Sequence, residues 1–301
     1  MRDAGSPEVT AATADAPERA VGPPTVTRRF ARLLRVLGQS RTLVLGTTIV
    51  AFWVLDAMFW PLIVPQNPQA LNPAATLAAP SFAHWFGTDD LGRDVLSRTL
   101  AGATSVLTVA PAATALGLLG GIIVGLVCGY YRGLVDDIVM RVVDALLAFP
   151  LIVIAVLVLA VLGPSVVNVI LVIGFIFTPI VARTVRSAVL AEREREYVAA
   201  ARLLGNSSLT IMVAEILPNI TAPLTVEATI RFGYAVFTSA TLSFLSLGVQ
   251  QPSPDWGLTI SLGRANLELA PWIALFPAAA LATLIVGINL AADGLRQVFA
   301  E

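Results

Sequence analysis

The stretch Glu192-Arg-Glu-Arg-Glu-Tyr-Val-Ala-Ala-Ala-Arg-Leu-Leu-Gly205, with Leu217-Pro218-Asn219 downstream, is a polar interruption in an otherwise apolar chain. Membrane-length apolar segments flank it on both sides. Leu190 to Leu204 combine good helix formers with alternating charge and predict a helix. Gly205 suits its C-cap, because Gly tolerates the left-handed conformation there. Asn206, Ser207 or Ser208 can cap a second short helix. Pro218 cannot continue that helix without losing a backbone hydrogen bond, so a bend is expected before the next apolar segment. Ala199, Ala200 and Ala201 offer a small, smooth face that another surface can approach closely. A solvated loop would explain the charges alone; the charged helix, Gly stop, second helix and Pro together point to a docking handle for a soluble partner.

The rest of the composition is that of a polytopic membrane protein. Of 301 residues 56% are hydrophobic and 13% charged, and the mean hydropathy is +0.81. A soluble domain of this size could not hide so much apolar surface, so lipid is part of its solvent. A formal net charge of -1 argues against a nucleic-acid partner. One Cys (Cys128) and one His (His84) exclude an intrachain disulfide and a Cys/His metal cluster. Every basic residue is Arg. Without Lys there is no G-x-x-x-x-G-K-[ST] phosphate loop, so any ATP that drives this protein is bound by another chain.

Six candidate spans, at about 42–64, 103–129, 138–163, 166–188, 220–247 and 272–292, have the ~20 residues a helix needs to cross a ~30 Å core. The expected fold is therefore all-α, one transmembrane domain over 42–301, without barrel strands. Residues 1–27 read as a disordered cytoplasmic tail, with no apolar core of a secretory signal. In 28–41, Arg alternates with Phe30, Leu33, Leu34 and Leu37, as in a short interfacial helix. Arg28, Arg29, Arg32, Arg35 and Arg41 before the first span predict a cytoplasmic N-terminus. Six spans then return the C-terminus to the same side. The loop at 190–219 falls inside, and those at 65–102 and 248–271 fall outside.

Three further groups carry chemistry. Before the second span lies His84-Trp-Phe-Gly-Thr-Asp-Asp-Leu-Gly-Arg-Asp-Val-Leu-Ser-Arg98. Gly87 and Gly92 permit tight turns, and Thr88, Asp89, Asp90, Arg93 and Asp94 form a polar cluster. That cluster, with Trp256 of a later outer loop, is either an extracytoplasmic lid or receptor contact, or a structural turn whose charges pair with one another. Arg141 and Asp144, three apart, can pair on one helix face. Glu227 and Arg231 lie four apart in span five, Arg231 roughly 18 Å along the helix from Asn219. A charge at mid-bilayer costs about 2.5–3.5 kcal/mol, whereas an i,i+4 pair returns only about 0.2–0.5 kcal/mol. Both side chains should then face the bundle interior or a water-filled translocation path, unless span five protrudes far enough for them to sit near headgroups.

These motifs resemble the permease subunits of bacterial ATP-binding-cassette importers, over roughly residues 28–300. Glu196, Tyr197, Val198, Ala200, Ala201, Arg202, Gly205, Leu217, Pro218 and Asn219 match the peptide-transporter form of the coupling signature. The 84–98 segment, Met140–Pro150, Thr241–Gln250, Pro254–Gly257, Asn289 and Asp293–Arg296 resemble other parts of the C-type permease of dipeptide, oligopeptide and nickel importers. The chain departs from the family at Ala199, where the general signature has Glu, at Glu215, where peptide permeases usually carry His, and at Ser239, where many members have Glu near the outer end of span five and which the resemblance would place with Glu227 and Arg231 on the translocation path. The resemblance implies a type I importer permease that moves dipeptides or oligopeptides, or alternatively nickel chelates or another small solute, across the inner membrane by alternating access. It implies a homologous second permease, two ATP-binding subunits carrying ATP and Mg, and an extracytoplasmic substrate-binding protein as partners. This chain itself would bind no cofactor and perform no covalent chemistry. An ion-coupled secondary transporter would need a buried relay, for which only Asp56, Asp144 and Glu227 are available. An intramembrane protease would need a metal site or a base that a single His outside the spans does not supply.

Overall fold

The computed structural model describes residues 40–300, with backbone only for Phe299 and Ala300. The expected tail (1–27) and all but the last two residues of the expected interfacial helix (28–41) lie outside the described residues. Among the described residues the secondary structure is helical, with no strand. The first helix, α1 (Arg41–Ile63), is capped by Ser40, whose Oγ accepts from the Leu43 amide at 3.4 Å. The longest, α2 (Val95–Tyr131), has 37 residues and reaches roughly 56 Å. It starts eight residues before the expected span, because the Asp94 carboxylate caps it by accepting from the Ser97 amide at 2.8 Å. The first turns of α2 therefore replace the end of the expected 65–102 loop with helix.

The span expected over 138–163 is not one helix. It divides into α3 (Leu134–Leu147) and α4 (Leu151–Leu162), bent by 85°. Pro150 lacks the amide proton to continue α3 and restricts Phe149 before it, so the chain breaks there. Next come α5 (Val166–Glu192), α6 (Glu196–Leu203), α7 (Ser208–Asn219) and α8 (Thr221–Phe244), then a short α9 (Trp256–Gly263) and a final α10 (Trp272–Ala300). The α7/α8 bend is 72°. It falls at Ile220 rather than at Pro218, which stays helical because a π-type turn at Ile211–Ile216 precedes it. Four helices are long and apolar enough to cross a membrane, and six crossings result when each bent pair is one.

The bundle is built on the α2/α5 pair. Gly117, Gly121, Gly125 and Gly129 recur every four residues along one face of α2. A Cβ at Gly117 would stand 2.7 Å from Phe177 Cβ, at Gly125 2.6 Å from Val185 Cβ and at Gly129 2.7 Å from Val189 Cβ. Small residues at this spacing let two membrane helices approach to backbone contact, where dispersion rather than water exclusion holds them. The α1/α10 pair repeats the device with Gly46, Gly287 and Gly294. One apolar core, with Trp53 edge-on to Trp256 at 4.9 Å, lies toward the 65–102 end. A second gathers Val185, Val189, Val198, Ile211 and Ile216 at the 190–219 end.

Candidate coupling surface and translocation path

The 190–219 segment folds as helix, turn, helix. The helix expected from Leu190 to Leu204 is interrupted at Arg193–Arg195, so α5 ends and α6 begins as separate elements. Gly205 has φ +78°, the left-handed value expected of a helix stop, and Ser207 Oγ caps α7 by accepting from the Thr210 amide at 3.2 Å. Val198 and Ala201 point inward and are buried against α5 and α7. This corrects the smooth alanine face: Ala199 and Ala200 are exposed, whereas Ala201 belongs to the core. The outward face continues instead through Glu196 and Arg202 to Leu203, 90% exposed, and Leu204, 82% exposed. Pro218 is exposed, Leu217 half-buried, and the half-buried Tyr197 donates from its hydroxyl to Glu192 Oε2 at 2.9 Å.

Two cations tie this turn to the end of α2. Arg193 Nη1 donates to the Tyr130 carbonyl at 2.6 Å, and the Arg202 guanidinium lies 5.3 Å from the Tyr130 ring centroid. A helix C-terminus leaves carbonyls unpaired and carries partial negative charge, so an Arg side chain is stabilising there.

At the opposite end, the 84–98 motif is a buried hub. Asp89 accepts from Arg93 Nε at 2.6 Å. Arg98, 1% exposed, donates to the carbonyls of Pro68 at 3.2 Å and Ser253 at 3.1 Å. His84 Nδ1 lies 3.0 Å from Asp94 Oδ1. Trp256 Nε1 donates to the Thr99 carbonyl at 2.7 Å, and Trp272 Nε1 to that of Thr88 at 3.0 Å. Of the expected lid or receptor-contact residues, Gly87, Thr88, Asp89, Gly92, Arg93, Asp94 and Trp256 are thus buried, and only Asp90 is exposed. Charges matched in this way to one another and to backbone carbonyls fold inward, as in a structural turn, and leave Asp90 as the exposed member of the group.

Along α8, Glu227 Oε1 lies 2.8 Å from Arg231 Nε, and both side chains are largely buried. The contact is ionic only, since neither atom has a hydrogen-bond partner among the described residues. Arg231 lines a cavity of about 600 Å³ between α4, α5 and α8, whereas Glu227 lines a separate hollow of about 400 Å³ with Thr184 and Arg296. Ser239, grouped with them from sequence, is buried and donates from Oγ to the Val236 carbonyl of its own helix at 3.1 Å. It lines neither hollow. Arg141 and Asp144 do not pair; Asp144 pairs with Arg183 of α5.

Comparison with known proteins decides what this bundle is. Residues 121–301 match the family described as the inner membrane component of binding-protein-dependent transport systems. The chain belongs to that family. A dipeptide transport system permease protein of Alkalihalophilus pseudofirmus is 40% identical over 261 residues, 87% of this chain and 86% of its own length. A glutathione transport system permease protein of Escherichia coli (strain 536) is 42% identical over 249 residues, 82% of each chain. A probable D,D-dipeptide transport system permease protein of Escherichia coli K12 is 36% identical over 280 residues, 93% of this chain and 94% of its own. The permease is thus an all-α polytopic component of an ATP-binding-cassette importer.

Sequence reasoning passed over several residues that organise this permease. Leu203 and Leu204 are ordinary helix formers by sequence, and their exposure is a property of the fold. Arg98 and Asp255 have buried structural roles that no local sequence pattern announces. Asp255 caps α9 by accepting from the Leu258 amide at 3.0 Å and accepts from Ser105 Oγ at 2.8 Å; burial pushes its carboxyl up from the usual range. The four-residue glycine spacing on α2 was a legible signal of close helix packing. The three acids available to an ion relay do not join. Asp56 is buried in α1 with neither oxygen paired among the described residues, Asp144 sits at the surface with Arg183, and Glu227 contacts Arg231.

Proposed function

We propose that this permease is one of two homologous subunits lining the path of an importer for short peptides. ATP is hydrolysed with Mg on two separate partner subunits that dock on the Glu196–Gly205 turn. The observation that carries the reading is the two-sided construction of that turn. Its inner side is fixed by Val198 and Ala201 within a core shared with α5 and α7. Its outer side leaves Leu203 and Leu204 bare beside Glu196 and Arg202, a small apolar anchor with a charged rim of the kind a partner groove covers. The names of the relatives support peptides as the cargo class.

In this mechanism ATP binding draws the two ATPases together and the turns move with them. A push on α6 is carried by Val198 into α5 and α7, and by Arg193 and Arg202 into the end of α2. The 72° bend at Ile220 turns the displacement of α7 into a tilt of α8, which carries Glu227 and Arg231. Each nucleotide state favours one bundle arrangement, and a loaded extracytoplasmic binding protein favours the outward-open one, which is how two ligands drive alternating access. The 190–219 end faces the cytoplasm together with both termini, and the 65–102 and 248–271 segments face outward. Arg132, Arg183, Arg186, Arg193, Arg195 and Arg202 at the cytoplasmic end support this orientation by charge. Of the outer cations, Arg93 and Arg98 are enclosed by the hub. The outer hub holds the ends of α2, α9 and α10 in register while the inner end moves.

Native co-purification of the tagged chain from its own membranes, followed by an ATPase assay, tests the reading. A second permease and ATP-hydrolysing subunits should be recovered, and lost on Leu203→Asp with Leu204→Asp. Recovery of the chain alone, as a transport-competent oligomer without ATPase, would overturn it in favour of a secondary transporter.

A further inference from the structure

The cavity between α4, α5 and α8 is apolar except for Arg231 and the hydroxyls of Tyr234, Thr238 and Thr241. Leucine, isoleucine and phenylalanine side chains of the three helices form most of its wall, and Arg231 is its one charged lining residue. The guanidinium is framed by aromatic faces, 5.1 Å from the Tyr234 ring centroid and 5.8 Å from that of Phe177. Glu227 reaches it at Nε from the neighbouring hollow, without hydrogen-bond geometry. A groove meant only for lipid tails or for a partner helix gains nothing from a guanidinium, whose five N–H groups all require acceptors. The unmet demand is for a small planar anion, and a carboxylate matches the fork of Arg with two parallel hydrogen bonds. A tetrahedral phosphate fits the planar fork less well, and of the hydroxyls the wall adds, on Tyr234, Thr238 and Thr241, the last is donated to the Phe237 carbonyl at 2.8 Å. At about 600 Å³ the space suits a ligand with an apolar body, within the range of ~300–1,000 Å³ usual for small-molecule sites.

We infer that this cavity is a subsite for the carboxy-terminal residue of a peptide in transit, with Arg231 taking the α-carboxylate and the aliphatic and aromatic wall taking an apolar side chain. The inference rests on the peptide reading above and adds an orientation and a preference to it. The permease then contributes selectivity of its own, for free carboxy-termini and for apolar last residues, beyond whatever its binding protein selects.

The test is uptake by the complete complex, with its binding protein, in proteoliposomes. Tripeptides are supplied in pairs: free acid against carboxy-terminal amide, and Phe against Gly as the last residue. The binding protein is common to every arm, so a changed ratio between wild type and variant arises in the permease. Arg231→Gln should lower the acid-to-amide ratio about tenfold, the scale of a charge-assisted hydrogen bond, and Arg231→Lys should restore part of it. Ile176→Trp, which fills the cavity, should lower the Phe-to-Gly ratio several-fold and leave the acid-to-amide ratio of Gly-ended peptides unchanged. Should Arg231→Gln fail to assemble, Arg231→Lys and Ile176→Trp decide. Peptide uptake with both ratios at wild-type values in all variants overturns the subsite alone. Absence of peptide uptake by a wild-type complex whose ATPase responds to its binding protein overturns the peptide reading and the subsite with it.

Discussion

Arg193 donates from Nη1 to the backbone carbonyl of Tyr130 at 2.6 Å, so the residue that follows α5 closes the last turn of α2. A cation on a helix C-terminus satisfies an orphan carbonyl and the dipole together, and here it also joins the turn between α5 and α6 to the longest helix of the bundle. Arg193→Gln should uncouple without dismantling: uptake per ATP hydrolysed falls several-fold while the complex still forms. Parallel measurement of uptake and phosphate release checks this, and an unchanged stoichiometry would remove Arg193 from the coupling route.

The two faces of α6 should respond oppositely to truncation. Val198 is fully buried, and Val198→Ala should cost the isolated subunit about 1–2 kcal/mol through a cavity that closes incompletely. Leu203→Ala, at a site 90% exposed, should change its stability by less than about 0.5 kcal/mol while weakening ATPase recovery at least tenfold. Thermal unfolding in detergent and pull-down yield separate the two effects.

The α2/α5 contact should not tolerate a methyl group. Gly125→Ala places a Cβ 2.6 Å from Val185 Cβ, and overpacking of this kind costs about 1–3 kcal/mol. The double variant Gly125→Ala with Val185→Ala should recover most of that loss, a coupling that a thermal double-mutant cycle measures directly.

Within the outer hub, exposure sorts the acids. Asp89→Asn removes the carboxylate that contacts both Arg93, at 2.6 Å, and Arg98, at 3.6 Å, and should cost about 3–5 kcal/mol as an uncompensated buried charge. Asp90→Asn, at the exposed neighbour, should leave stability within about 0.5 kcal/mol. If Asp90→Asn also leaves stimulation by the binding protein unchanged, the hub has no part in that contact.

Gly205 combines a positive φ of +78° with open space around its Cα. Gly205→Ala therefore meets backbone strain and no clash, and should cost about 1 kcal/mol. The penalty is local to the turn, so it should appear as faster proteolysis at 203–206 before any fall in global unfolding temperature.

What the sequence determined by itself were the properties that follow from composition and local period. The membrane class, the number of crossings and the α6–Gly205–α7 turn depend on hydropathy, capping chemistry and the backbone freedom of Gly, all of which act over a few residues. The burial of Glu227 and Arg231 was legible for the same reason, because the expense of a charge in lipid is a property of the span alone. Tertiary structure decided which side of a residue faces a neighbour. It turned Ala201 inward and Leu203 outward on one short helix, folded Asp89, Arg93, Asp94 and Trp256 into a hub, and paired Asp144 with Arg183 rather than with Arg141. It also placed the break of the third span at Pro150 and the bend of the fifth at Ile220, and left Ser239 bonded to its own helix. The inward turn of Ala201, the hub and the Asp144–Arg183 pair depend on contacts between segments far apart in the chain, where packing and charge pairing outweigh local preference, whereas the Pro150 break and the Ser239 bond are local events whose place only the folded backbone shows.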